Sequence, residues 1–248
     1  MKNHMLPAEE VVEKIEGLGF EKVKVLHGST FKDASTIVVV PTRGMVHHRT
    51  VAAWQSMLAP MNQKKAFLFA IGHEVGKAYD AMIANILADS NLRSWKYLLT
   101  LEDDNLPPPD AHIRLLESIE EGAYDAVSGL YWTKGEYQMP MAYGDPETYR
   151  KTGQLEFRPR DVRKALAGGN VLPVNGIAMG CGLWRLDLFR QIPAPWFVTV
   201  SDVVPDKGPT SFTQDLYFCE RACRAGKRFA VDMRVKVGHL DVNSGVVY

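Results

Sequence analysis

The stretch Tyr97-Leu-Leu-Thr-Leu-Glu-Asp-Asp-Asn105 decides the fold class, because an apolar run leads directly into three consecutive acidic residues. The apolar part predicts a buried β-strand. Pro107–Pro109 then break the chain, and Asp110 is placed to cap the helix that follows. Because ligands of open α/β sheets bind at the carboxyl ends of the strands, we expect these acids to face a ligand.

The three adjacent carboxylates predict a metal site. Glu102, Asp103 and Asp104 repel one another when ionised, and a divalent cation would neutralise that repulsion. The alternative is a solvated turn that caps the next helix. Pro107–Asp110 already supplies a stop and a cap, so the acids are surplus to that task and we favour the metal.

Around this stretch, apolar strands alternate with helical segments, which predicts an α/β fold with a mostly parallel central sheet flanked by helices. Residues 143–170 are rich in polar residues and glycine and predict loops with short strands. A helix at 7–17 and a strand at 22–26 predict an N-terminal appendage over residues 1–33, before a main domain at 34–248. The predicted strands of the main domain are 36–40, 66–71, 97–101, 126–131, 176–184 and 229–237, and its predicted helices are 47–58, 78–88, 110–120 and 213–225.

Composition limits the class of partner. The 248 residues are 46% hydrophobic, enough for one sizeable core. Lys+Arg and Asp+Glu both total 29, and this neutral balance argues against broad binding to a phosphate backbone. No apolar run approaches the roughly 18 residues of a membrane span and the start is not a signal peptide, so we expect a soluble, cytoplasmic protein. The three cysteines predict reduced, packed thiols.

Three further segments carry weaker signals. Asp215 falls in the first turn of a predicted helix, where the dipole favours the ionised form and a general base is conceivable, although acids there are usually caps. His239 follows a strand and Gly238 and could complete an O,O,N cation site with the distant acids, although lone histidines are more often structural. The segment Gly72–Lys77 imitates a P-loop but has three intervening residues instead of four, followed by Ala78. His47-His48 is interpreted as surface.

Taken in order, these segments resemble glycosyltransferase family 2 and its phage and bacterial relatives, which have the GT-A fold. The resemblance covers roughly Ser35 to Asp241. Gln214 stands where the family has Glu, Glu102 where it has Asp, and Ala78-Tyr79-Asp80 where many relatives carry Ala-Arg-Asn. The matching segments are Val38–Arg43 (first strand and nucleotide turn), Glu102–Asp104 (the DXD-type motif), Asn175–Arg185 and Pro195–Phe197 (acceptor side), Thr213–Asp215 (catalytic base) and Gly238-His239 (a further metal ligand).

The resemblance implies a metal-dependent glycosyltransferase that moves a sugar from a nucleotide-diphosphate sugar to an acceptor hydroxyl. Inversion at the anomeric carbon is favoured, and retention stays open because some retaining enzymes share this fold and acidic motif. It places Mn²⁺ or Mg²⁺ on Asp104 and His239, and makes Asp215 the base. The acceptor would be a glycan, a small molecule or a modified nucleic acid, and a phage-encoded protein would act in the host cytoplasm. The donor-binding residues it implies are Pro41, Thr42, Arg43, Asp80, Glu102 and Asp103, and the acceptor-side residues are Gly180, Gly182 and Trp196.

Two other functions stay open at the level of sequence. A sugar nucleotidyltransferase would usually open with a Gly-rich phosphate loop, which Pro41–Met45 does not supply. A non-catalytic nucleotide- or carbohydrate-binding module is kept open by Gln214. Trp132 and Trp196 are candidate platforms for a sugar or base, with core packing as the alternative. Lys134 could meet a phosphate, with a solvated loop lysine as the alternative.

Overall fold

The computed structural model describes residues 33–163, 170–204 and 208–248. Its helices are α1 (His48–Ser56), α2 (Val75–Ala88), α3 (Ala111–Glu121), α4 (Pro146–Thr152), α5 (Leu188–Gln191) and α6 (Gln214–Arg224), with a 3₁₀ turn at Leu92–Ser94. Its strands are β1 (Thr36–Thr42), β2 (Lys65–Ile71), β3 (Tyr97–Leu101), β4 (Asn105–Leu106), β5 (Ala126–Leu130), β6 (Ala142–Tyr143), β7 (Val171–Val174), β8 (Gly176–Ile177), β9 (Cys181–Arg185), β10 (Val200–Val204), β11 (Gly208–Phe212), β12 (Phe229–Lys236) and β13 (Gly238–His239).

Seven of these strands form the central sheet, in the order β2-β1-β3-β9-β5-β12-β7. β1 pairs in parallel with β2 and β3, and β5 pairs in parallel with β12. β9 runs antiparallel to both β3 and β5, and β7 runs antiparallel to β12. Five strands therefore share one direction and two oppose it, which confirms the predicted α/β fold with a mostly parallel sheet.

The central strands are continuous apolar runs because both of their faces are covered. In β1, Ile37 and Val39 belong to a cluster that includes residues of α2 and α6, while the alternate residues Val38 and Val40 are equally buried. Thr100 of β3 is a polar exception, and its hydroxyl donates to the carbonyl of Gly182 at 3.1 Å. Each fully buried aliphatic side chain contributes about 1.5–3 kcal/mol, so the core rests chiefly on these runs.

The predicted strand 176–184 is interrupted in the structure. β8 ends at Ile177 and pairs with β6, whereas β9 begins at Cys181 and enters the central sheet. The residues between them turn beneath the acidic stretch. The chain thus passes from the small sheet of β6 and β8 to the central sheet, although its apolar composition continues without a break. Cys181, Cys219 and Cys223 are buried free thiols, as expected from the sequence.

Two helix starts differ from the sequence predictions. α4 lies where loops with short strands are expected, although Asp145 accepts a hydrogen bond from the Glu147 N–H at 3.0 Å and Pro146 opens the helix. Asp110 stands at the start of α3, but its carboxylate pairs with Arg114 at 3.2 Å instead of capping the helix. Local composition alone does not decide which partner a carboxylate takes.

The predicted N-terminal helix at 7–17 and strand at 22–26 lie outside the described residues, so the appendage stays a prediction. Within the described ranges, none of the helices combines the length and apolar character needed to cross a bilayer.

Candidate active site

The acidic turn lies between β3 and β4 at the carboxyl edge of the sheet. The N–H of Asn105 donates to the carbonyl of Glu102 at 3.1 Å and closes the turn, while the N–H of Glu102 donates to the carbonyl of Gly180 at 3.3 Å. β4 then pairs antiparallel with β13, so that Asn105 lies opposite His239. This two-residue ladder brings the end of the chain's last long strand to the acids.

His239 is oriented toward Asp104 by a backbone contact on its far side. Its Nδ1 lies 2.7 Å from the carbonyl oxygen of Trp132, which can only accept, so Nδ1 carries the hydrogen. Nε2 lies 3.6 Å from Oδ2 of Asp104. Nε2 can therefore hold either a hydrogen directed at Asp104 or a metal ion, and an Nδ1–H fixed by a backbone carbonyl is typical of a metal-binding histidine.

Lys134 supplies a positive charge to the same carboxylate. Its ammonium group contacts Oδ2 of Asp104, the oxygen that also faces His239. Burial alone would raise the pKa of Asp104, but the neighbouring His239 and Lys134 side chains outweigh it and hold the pKa below its ordinary value. The Asp104 carboxylate is therefore held in its ionised form by these two neighbours.

Glu102 and Asp215 behave differently because they are short of positive charge. Burial, followed by the charges of Asp104, Asp215 and Asp103, raises the pKa of Glu102 to about 8. Asp215, in the first turn of α6, is 6% exposed, and burial raises its pKa although the Thr213 side chain and the Leu216 N–H at 2.9 Å oppose the shift. A group of carboxylates with raised pKa values favours a bound cation.

The donor atoms present fit a hard divalent cation. The carboxylate of Asp104 and Nε2 of His239 are oxygen and nitrogen ligands of the kind that Mn²⁺ and Mg²⁺ accept. In the part of the chain that the structure describes, no three His, Cys, Asp or Glu side chains form a complete metal-binding group. The protein would thus contribute two ligands and leave the others to substrate or water.

Two depressions meet at the acidic turn and share Arg43, Asp103 and Asp104. One has a volume of about 320 Å³ and is bounded on its far side by residues that follow β1 and β2. The other, of about 550 Å³, is bounded by Lys134, by residues after Arg43 and by the segment after β13. The first includes Pro41, Thr42, His73, Glu74 and Glu102, and the second includes His47, Lys134 and Asp241.

The structure thus brings together Pro41–Arg43, the acids Glu102–Asp104 and His239, and their roles in binding stay a prediction. His73, Glu74 and Asp241 also reach this region but are missed by the sequence analysis, and the surface residue His47 borders the larger depression. His73 and Glu74 could have been found, because β1 and β2 are adjacent parallel strands whose following residues share one edge.

Two predicted site residues serve the core instead. The Asp80 carboxylate accepts hydrogen bonds from the backbone N–H groups of Trp196 at 3.0 Å and Phe197 at 2.8 Å. These two bonds fix the backbone at Trp196 and Phe197. The indole of Trp196 is buried, and its N–H donates to the carbonyls of Phe189 and Ile192. The prediction of Trp196 as an acceptor platform is therefore wrong, because no open ring face is left for a sugar.

Gly180 and Gly182 support the acidic turn from below. A Cβ on Gly180 would lie 2.4 Å from Oδ1 of Asn105. The N–H of Gly180 donates to the hydroxyl of Tyr131 at 2.8 Å. Gly182 lies within β9, opposite Thr100 of β3. Both glycines thus allow close packing at this position, and their place beside an acceptor stays a prediction.

No protein-family model matches the chain, and no curated protein matches it. Solved structures do share its fold. A197 from STIV superposes with a TM-score of 0.55 at 16% identity, over 84% of this chain and 86% of that chain. GalNAc-T7, solved with UDP, GalNAc and Mn²⁺, superposes with a TM-score of 0.51 at 11% identity, over 84% of this chain but 44% of its own. This chain therefore spans less than half of GalNAc-T7. The likeness to these structures shows a GT-A-like fold, and it does not show membership of glycosyltransferase family 2.

Proposed function

We propose that this protein is a glycosyltransferase that uses a divalent cation and a nucleotide-diphosphate sugar, and that transfers the sugar to an acceptor hydroxyl. The observation that carries the proposal is the convergence of Asp104 and His239 at the carboxyl edge of the sheet, beside a depression bounded by Pro41–Arg43. The shared fold with GalNAc-T7, a protein solved with UDP, GalNAc and Mn²⁺, supports it.

Asp104 and His239 would hold Mn²⁺ or Mg²⁺. When bound, such an ion stabilises the negative charge that develops on a leaving diphosphate. Trp132 supports the arrangement, because its carbonyl keeps the hydrogen of His239 on Nδ1 and leaves Nε2 free to coordinate.

Pro41, Thr42 and Arg43 would contact the donor nucleotide, with Glu102 and Asp103 opposite them across the depression. Lys134 contacts the same Asp104 oxygen that a cation would use, so the two positive charges compete for it. Once displaced from Asp104, the Lys134 ammonium would bind a phosphate oxygen of the donor. Lys134 would thereby link occupancy of the cation site to donor binding.

Asp215 would act as the general base. Its buried position at the start of α6 raises its pKa, which brings a carboxylate closer to the range in which it can accept a proton. The acceptor oxygen would form a bond to the anomeric carbon while the bond from that carbon to the diphosphate breaks. The hydroxyl proton would pass to Asp215, and the anomeric configuration would invert.

The test is calorimetry of UDP and other nucleoside diphosphates with Mn²⁺ or with EDTA. We expect binding that requires Mn²⁺, that is lost in Asp104→Asn, and that is preserved in Asp110→Asn. Asp110 is a matched control because it follows the same turn but pairs with Arg114. Equal binding by the two variants, or binding insensitive to EDTA, would contradict the proposed site.

A second measurement separates a transferase from the non-catalytic binding module that Gln214 keeps open. Release of nucleoside diphosphate from a panel of nucleotide sugars, followed with Mn²⁺ present, should show slow donor hydrolysis even without the natural acceptor. Donor binding without any release across the panel would indicate a binding module.

A further inference from the structure

A second cavity lies at the opposite edge of the sheet, away from the acidic turn. Its volume is about 460 Å³, within the range of about 300–1,000 Å³ that is typical of small-molecule sites. Residues from α4, β7 and the segments before β5 and after α6 bound it. The residues on which the proposal depends are Tyr124, Tyr149, Arg150, Lys227, Arg228 and Phe229.

The topology separates this cavity from the candidate active site. β3, β5 and β12 run in the same direction, because β9 is antiparallel to β3 and β5 and β12 is parallel to β5. The acidic turn follows the last residue of β3, whereas Tyr124 precedes β5 and Phe229 opens β12. A five-residue strand spans about 16 Å, so a small ligand in this cavity cannot reach the acids.

The charges around the cavity favour an anion. Arg150, Lys227 and Arg228 all contribute to its lining, and none of the described lining residues is Asp or Glu. The carboxylate partners of two of these cations stand outside the lining: Glu147 lies 2.8 Å from Arg150, and Asp125 lies 3.7 Å from Lys227.

The rest of the lining favours a flat or apolar body. The guanidinium of Arg228 lies 5.1 Å from the ring centroid of Tyr124, which presents a cation and an aromatic ring together. Tyr149 and Phe229 add further aromatic surface, and Pro173 and Val174 add aliphatic surface. Such surfaces stack on rings and leave the cations to meet a charged substituent.

We propose that this cavity is a second ligand site, which binds a small organic anion whose phosphate, sulfonate or carboxylate group is carried on an aromatic or apolar body. The site is independent of the proposed transferase activity, since it shares no residue with the acidic cleft. The ring of the ligand packs on the tyrosines, and its anionic group meets Arg150, Lys227 and Arg228.

The test uses phenyl phosphate in EDTA, titrated into the full chain by calorimetry and by ligand-observed NMR, with benzyl alcohol as the neutral comparator. Arg150→Ala and Lys151→Ala form a matched pair, because both remove one exposed positive charge that pairs with Glu147, and only Arg150 lines the cavity. We expect binding about tenfold or more weaker in Arg150→Ala, the scale of one lost charge-assisted hydrogen bond, and unchanged binding in Lys151→Ala.

Arg228→Ala should weaken phenyl phosphate in the same way, and Asp104→Asn should leave it unchanged. The proposal is overturned if the wild type shows no binding at millimolar concentrations, if Arg150→Ala and Lys151→Ala bind equally, or if benzyl alcohol binds as well as phenyl phosphate. Because Mn²⁺ is absent throughout, failure here would leave the transferase proposal intact.

Discussion

The two ends of the parallel strands, called here the carboxyl edge and the amino edge of the central sheet, carry side chains of opposite charge. At the carboxyl edge, Glu102, Asp103 and Asp104 line a cleft, and the buried Asp215 is near enough for its charge to act on Glu102. At the amino edge, Arg150, Lys227 and Arg228 surround a cavity without acids among its described lining. The formal net charge of zero conceals this separation. A balanced composition therefore argues against broad binding to a polyanion but gives no information about two local sites of opposite sign.

Helix α6 shows how the fold sustains the separation. Asp215 lies in its first turn, where the helix dipole favours an acid. Lys227 comes three residues after its last residue, Arg224. The helix and the turn that follows it thus place an acid near one edge and a base near the other.

The largest effect is expected at the acidic edge, from Asp215→Asn. If Asp215 takes the acceptor proton, turnover should fall by about 10²–10⁴-fold while donor binding is kept, because amide and carboxylate have nearly the same shape. Initial rates of transfer, set beside calorimetric donor binding, measure the two effects separately. Near-wild-type turnover would remove the role of Asp215 as base.

The next effect tests the amino edge, where His112 of α3 meets the start of β1. The hydroxyl of Thr36 donates to the carbonyl of Ala34 at 2.8 Å and so accepts the Nε2 hydrogen of His112 at 3.1 Å. Among the described residues, Nδ1 has no hydrogen-bond partner. Burial, followed by the charge of Lys65, lowers the pKa of His112 from 6.5 to about 3.

The native state therefore keeps His112 neutral while the unfolded chain takes up a proton below pH 6.5. This contribution to stability is fully present above pH 6.5 and is lost as the pH falls toward 3, by about 1.4 kcal/mol per pH unit. Urea unfolding between pH 7 and 4 should show a weaker acid dependence in His112→Gln than in the exposed control His48→Gln. Identical slopes for the two variants would show that His112 titrates normally.

The smallest effect is expected from Lys134→Met, which removes the ammonium group that contacts Asp104. Without the competing ammonium, Mn²⁺ alone should bind a few-fold more tightly, as expected for a partly exposed ion pair. A nucleoside diphosphate added with Mn²⁺ should bind more weakly, because its phosphate loses a partner. Calorimetry measures the affinity for Mn²⁺ alone and for the nucleoside diphosphate with Mn²⁺, with Lys151→Met as the control. An unchanged Mn²⁺ affinity in Lys134→Met would show that Lys134 does not compete with the cation for Asp104.

Much of the fold could be predicted because its signals are local. The apolar runs of β1 and β3 and the alternation of apolar and polar residues in β12 stand out in the sequence, and β3 leads into the acidic turn where the pattern places it. The helix signals around α4 were equally local, with Asp145 before Pro146, but a polar composition obscured them. The capping residue and the proline at the start of α4 were present in the sequence, and the prediction gave more weight to the polar composition.

The rest depends on contacts that no local pattern contains. The Lys134 ammonium meets Asp104 because the loop after β5 reaches across the sheet edge, and Trp196 is buried because Asp80 fixes its backbone. The amino-edge cavity joins residues before β5, in α4 and after α6. Each is set by tertiary packing, which composition and periodicity do not determine.

The short β4–β13 ladder has a consequence for how the protein is made. Asn105 leaves the ribosome long before its partner His239, and the intervening chain includes β5, β9 and β12, which form the middle of the sheet. The entropy cost of closing so long a loop is offset only after those strands have paired. During translation the acidic turn therefore forms before His239 can pair with it, and a nascent chain stalled before β12 would carry the carboxylates but lack the proposed histidine ligand.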